Sequence, residues 1–203
     1  MFLKTISGKE LSKIGIGTYG IGGLSHRFNE SLTSLPDVKY VEALVTQLNL
    51  GMNFTEISVA LAQGKSAKLL AEAIIKSNVK RDDIFITHSL WPKDLNIFED
   101  ILRDIEVAHK LFETNTFDST LVTLSLLAKF GKKEVVSLLH KLIDNGKTRF
   151  VSLSNSNRAT IKYFSEEFGD KFVAHEAHLS FEIRENEDEG IFEFCKELGV
   201  RNN

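Results

Sequence analysis

Apolar residues recur along this chain with two different spacings, and the two alternate. Val38, Val41, Val45 and Leu48 stand three or four residues apart, as do Val135, Leu139 and Leu142, then Ile161, Phe164 and Phe168, then Ile191, Cys195 and Leu198. Each set draws one apolar stripe down a helix. Between them lie short runs rich in β-branched and aromatic residues, at 13–18, 53–57, 84–87, 117–122, 149–153 and 172–178. These predict strands. Gly51, Gly146 and Gly169 each stand two or three residues before such a run. Glycine accepts the left-handed conformation that closes a helix, so the three read as helix stops. Near the N-terminus, 2–6 and 11–14 flank Ser7-Gly8 and predict a small hairpin.

Strand alternating with helix means a parallel sheet covered by helices. Six strand–helix units are legible, at Ile14, Phe54, Ile84, Phe117, Phe150 and Phe172, and Leu198-Gly199-Val200 opens a seventh. A (β/α)8 barrel has eight units in about 250 residues. The expectation is therefore an α/β chain forming one domain over 1–203. It is a partial (β/α)8 TIM barrel of about six βα units with an N-terminal β-hairpin, lacking the last two. Such a sheet leaves two open edges. The strands draw together into an incomplete barrel, a second copy pairs with them, or another polypeptide covers them.

Composition narrows the class of partner rather than the fold. A net charge of −3 with no dense Lys/Arg block gives no basis for nucleic-acid binding. No apolar run approaches the ~20 residues of a membrane span, and the first ten residues lack the apolar core of a signal peptide. With Cys195 alone there is no internal disulfide, which points to the reducing cytoplasm. On its apolar stripe, Cys195 reads as a packed thiol rather than a nucleophile. Phenylalanine dominates the aromatics, 15 against 3 Tyr and 1 Trp, which suits core filling.

The candidate chemistry sits in 51–66, GMNFTEISVALAQGKS. This stretch resembles the second barrel segment of the aldo-keto reductases, G-x-N-F-x-D-T-A-x-x-Y-G-x-G-K-S. Glu56 takes the Asp position and Leu61 the Tyr position. The resemblance continues in order along the chain. KIGIGTYG at 13–20 looks like the first strand, IFITH at 84–88 the third, which normally ends Thr-Lys, and DSTLVT at 118–123 the fourth, normally D-L-Y-x-x-H. FVSLSN at 150–155 looks like the fifth, and Glu176 stands where the sixth strand carries Gln, with Arg184 retained.

The resemblance implies hydride transfer from a nicotinamide to a carbonyl, with Tyr as general acid tuned by Lys, Asp and His. The four corresponding positions are Glu56, Leu61, His88 and Thr123. None is unchanged, and leucine has no proton to give. Gly17, Thr18, Tyr19, Ser154, Asn155 and Glu176 match positions at the nicotinamide end. The ring that stacks on nicotinamide and the 2′-phosphate grip come later in the family's barrel. The expectation is no cofactor, or weak NADP(H) binding at a vestigial site.

Blander roles stand beside these. Ser154-Asn155 reads more readily as the cap of the next helix, and the glycines of GTYGIGG as turn formers rather than a phosphate loop. His175 should face the helices. Glu56, His88, Glu176 and His178 lie near the carboxyl ends of strands, where barrel sites are built, and could form a repurposed acid–base or zinc site. Drift at an abandoned site accounts for them more simply, and no metal is expected. The resulting expectation is a catalytically inactive interaction or regulatory protein. The alternative is a weak NADP(H)-dependent carbonyl oxidoreductase using Tyr19 or His88 as proton donor.

Overall fold

The computed structural model describes residues 2–4, 9–22, 35–91 and 98–202. Two compact units arise, Met1–Ser89 with Lys93–Asp118, and Leu90–Pro92 with Ser119–Asn203.

In the first unit, β1 (Phe2–Lys4) pairs antiparallel with β2 (Glu10–Ser12). This is the expected hairpin, though its Ser7-Gly8 turn lies outside the described residues. Asn53 ties β2 to the sheet, accepting from the Ser12 amide at 2.8 Å and donating to the Glu10 carbonyl at 2.8 Å. Then follow α1 (Asp37–Asn49), β3 (Phe54–Ile57), α2 (Lys65–Lys76), β4 (Phe85–Leu90, in this unit to Ser89), α3 (Phe98–Leu111) and the first two residues of β5 (Phe117–Thr123).

The second unit holds the rest of β5, then α4 (Leu124–Phe130), α5 (Lys132–Asp144), β6 (Thr148–Ser154) and α6 (Arg158–Phe168). It ends with β7 (Phe172–Glu176), α7 (Glu185–Asp188), α8 (Ile191–Glu197) and β8 (Arg201–Asn202). The sheet runs β3-β4-β5-β6-β7-β8, in chain order. Sequential strands with a helix between neighbours give the α/β order of a partial (β/α)8 barrel. β8 begins where the seventh unit was read.

The first barrel strand departs from expectation. Only Ile16 forms a bridge, to Thr55, with its amide donating to the Phe54 carbonyl at 2.7 Å. Gly15 and Gly17 explain the break, since glycine weakens a strand. Gly15 is also required: a Cβ there would meet the Phe54 ring at 2.6 Å. The α1 stripe is also shifted. Tyr40, Val41, Leu44 and Leu48 are buried, whereas Val38 is 53% exposed. The other stripes hold, with Val135, Leu139, Leu142, Ile161, Phe164, Phe168, Ile191 and Cys195 all buried. Each such large side chain contributes about 1.5–3 kcal/mol.

Candidate active site

The left-handed turn after β3 sets the geometry of the first unit. Gly64 has φ +81, and Ala62 and Gln63 share the left-handed region at φ 49 and 55. Ala62 stands where the family pattern carries glycine, so its Cβ is strained there. Leu61 opens this turn and is 4% exposed, an apolar side chain packed into the core.

Register decides which side chains meet. Glu56 pairs with Thr87 and Ile57 with His88. Facing alternates along a strand, so Glu56, Thr87 and Ser89 share one face while Ile57 and His88 share the other. His88 is fully buried on that other face, with its ring 5.3 Å from Phe117 and Nε2 3.3 Å from Asp104 Oδ2 of α3. His88, read at the catalytic Lys position, thus lies on the face opposite Glu56, and Ser89 is the β4 residue on the Glu56 face. The side chains of Glu56 and His88, joined in the acid–base or metal reading, thus point to opposite faces of the sheet. No group of three metal-ligating side chains occurs among the described residues.

Burial raises the Glu56 carboxyl above its ordinary pKa, opposed first by Ser89 and then by charge on His88. The Ser89 hydroxyl is buried without a well-formed hydrogen bond, yet lies near enough to favour the ionised carboxyl. Thr18 lies alongside, its Oγ1 donating to the Glu56 carbonyl at 2.9 Å. The neighbouring Tyr19 is half exposed, and Gly17 has open space where a Cβ would stand. Away from this face, Asp118 is a buried anchor. Its carboxylate accepts from Lys9 at 3.1 Å and from the Ile86 amide at 3.0 Å, with Arg81 Nη1 at 3.9 Å.

In the second unit, Thr123 caps α4. Its Oγ1 accepts from the Leu126 amide at 3.3 Å and lies 3.3 Å from the Leu90 carbonyl. The residue that the resemblance matches to the family's His is thus used as a helix cap. Ser154 and Asn155 do not cap α6. That role belongs to Asn157, whose Oδ1 accepts from the Thr160 amide at 3.0 Å.

Asn155 instead adopts φ 48 and clasps the end of β7. Its amide donates to the Glu176 carbonyl at 2.8 Å, its Oδ1 accepts from the His178 amide at 2.8 Å, and its Nδ2 donates to Ser154 Oγ at 3.2 Å. The side-chain amide that would hold a nicotinamide is thus turned onto the protein's own backbone and neighbour. Ser154, Asn155, Glu176 and His178 are gathered together, but as a backbone clasp that fits the cofactor poorly. Cys195 is fully buried and its thiol pushed up to about 11, a packed group as expected.

With this geometry in view, the model of the aldo/keto reductase family matches residues 13–202. The chain belongs to the aldo/keto reductase family. Aldo-keto reductase YhdN of Bacillus subtilis (strain 168) is 25% identical over 94% of the chain, which spans 56% of that relative's length. Among solved structures, a thermostable aldo-keto reductase bound to the inhibitor epalrestat matches with a TM-score of 0.81 and 24% identity, over all of this chain and 71% of that one. An aldo/keto reductase from Klebsiella pneumoniae, in complex with NADP and acetate, matches with a TM-score of 0.77 and 16% identity, over 99% of this chain and 66% of that one. These likenesses show the fold. At the positions that the resemblance matches to the family's Tyr and His stand Leu61 and Thr123, and Ser89 is the β4 residue on the Glu56 face. No helix among the described residues is long and apolar enough to cross a membrane.

Proposed function

We propose that this aldo-keto reductase relative does not reduce carbonyls by the family's chemistry and acts through protein contacts instead. Leu61 carries the proposal: the position of the general acid holds a buried hydrocarbon. General acid catalysis by a placed side chain contributes typically ~10²–10⁴-fold, and Ser89 and Thr123 supply no charge to replace it. The clasp made by Asn155 supports weak NADP(H) binding or none. In the second unit, the turn after β7 presents Leu179 (56% exposed), Phe181 (100%) and Ile183 (45%). Ser180 Oγ accepts from the Glu182 and Ile183 amides at 3.2 and 3.0 Å and holds that turn. An ordered apolar display of this kind suits a protein partner or a second copy, in the reducing compartment that a lone buried cysteine favours.

One observation favours a second reading. Glu56 is held toward its protonated form by burial, which is what a substitute general acid needs. A slow NADP(H)-dependent reduction would then take its proton from Glu56. Incubation with NADPH and a simple aldehyde separates the two readings. Turnover lost in Glu56→Gln supports the second, and absence of turnover together with a heavier species in analytical ultracentrifugation supports the first. Turnover unaffected by Glu56→Gln contradicts both.

A further inference from the structure

On the helix side of the first unit, α2 and α3 are separated by a groove of about 590 Å³. α3 buries Ile101, Ile105 and Ala108 in the core, while Asp100, Arg103, Asp104, Val107, Lys110 and Leu111 line the groove. The spacing of three, four and seven places these six on one flank of the helix. Val59, Gln63, Gly64 and Lys68 close the other side.

The charges in the groove are unequal. Asp100 pairs with Arg103 at 3.2 Å, and Asp104 faces the buried His88 at 3.3 Å. Lys68 and Lys110 remain, both exposed and neither in an ion pair among the described residues. Counting every lining charge leaves the groove one unit positive, three cations against two anions. The start of α2 adds to this. Gly64 is its N-cap and has no side chain to satisfy the first amides, which carry the positive end of the helix dipole. The floor is apolar: Val107 is half exposed and Leu111 packs on the core from the groove side.

A volume in the ~300–1,000 Å³ range of small-molecule sites, an apolar floor and two exposed lysines in the lining describe one kind of ligand. We infer that this groove binds a soluble amphipathic monoanion, a medium-chain carboxylate, with its chain on Val59, Val107 and Leu111 and its carboxylate between Lys68 and Lys110. Charge-assisted hydrogen bonds from ammonium groups are the stronger class, and the two lysines place the head group, while the apolar floor sets the preferred chain length.

The test uses sodium octanoate as the probe, titrated into the whole protein by calorimetry at low salt. The expected result is saturable binding of one octanoate per chain, weakened tenfold or more in the double variant Lys68→Glu, Lys110→Glu. Val107→Asp should weaken it as well, and acetate should bind far less well because it lacks the chain. Lys162→Glu, on α6, is the control and should bind like the parent. The lysines are exposed and unpaired, so these variants fold, which a matching melting temperature verifies. Absence of saturable binding overturns the inference, and so does binding that survives the double variant, since octanoate would then lie on another apolar surface such as that around Phe181.

Discussion

The sharpest stability prediction concerns His175, the fourth residue of β7. Its side chain is fully buried, and its Nε2 accepts the Ser156 amide at 2.9 Å. Burial lowers its pKa from 6.5 to about 4, against an opposing contact with Asn202. Protonation at Nε2 would also set one donor against another, the Ser156 N–H. The sign follows from linkage. Between pH 4 and 6.5 the unfolded chain binds the proton and the folded chain does not, so stability rises with pH through that window.

A shift from 6.5 to about 4 corresponds to about 3 kcal/mol when fully developed, and to about 2 kcal/mol between pH 7.5 and 5.0. His175→Gln keeps an acceptor for the Ser156 amide and removes the titration. Urea unfolding of both proteins, followed by Trp91 fluorescence at pH 7.5, 6.5, 5.5 and 5.0, isolates the term as a difference. The variant should lose about 2 kcal/mol less than the parent on going to pH 5.0. Parallel pH profiles would refute the argument, as would a parent that gains stability relative to the variant on acidification.

Other changes test other parts of the structure. Asp118→Ala removes the carboxylate shared by Lys9 and Arg81, which keep their contacts to the Ile84 carbonyl, and leaves the buried Ile86 amide without its acceptor. Both cations stay about a fifth exposed and can hydrate in part, so the cost should be about 3 kcal/mol by urea unfolding. A loss below about 1 kcal/mol would remove the carboxylate as an anchor. Ala62→Gly relieves a non-glycine residue at φ 49 and should stabilise by about 0.5–1 kcal/mol despite the greater freedom of glycine in the unfolded chain; destabilisation would show the turn to be unstrained. Leu61→Tyr should not create aldehyde reduction, because Ser89 and Thr123 cannot tune the new hydroxyl; NADPH consumption by that variant would show the rest of the site to be competent.

Much of the scaffold is legible in the residues, because glycine stops and helical stripes are local signals. Gly51, Gly146 and Gly169 do take positive φ, and α5, α6 and α8 bury the side chains their spacing marks. What fails is facing. Every residue of β4 and β5 is buried, so neither strand alternates apolar with polar, and period two gives no clue to which side His88 takes. Only pairing with β3 settles it, and pairing is non-local. The clasp at Asn155 is illegible in the sequence for a related reason. Ser-Asn ahead of a helix fits a cap, but Asn157 stands one turn from Thr160 and takes that place, leaving Asn155 to the exit of β7. In α1, Val38 matches the helical spacing but lies one position too far round. Tyr40 and Leu44 share the face of Leu48 and are buried in its place.

The decisive measurement is NADPH oxidation at 340 nm by the parent protein with a reactive aromatic aldehyde, each at millimolar concentration. With Leu61 in place of the general acid, the rate should equal that of the buffer control. Sustained, enzyme-proportional NADPH consumption would contradict the proposal and return the proton donor to Glu56 or a residue not yet recognised.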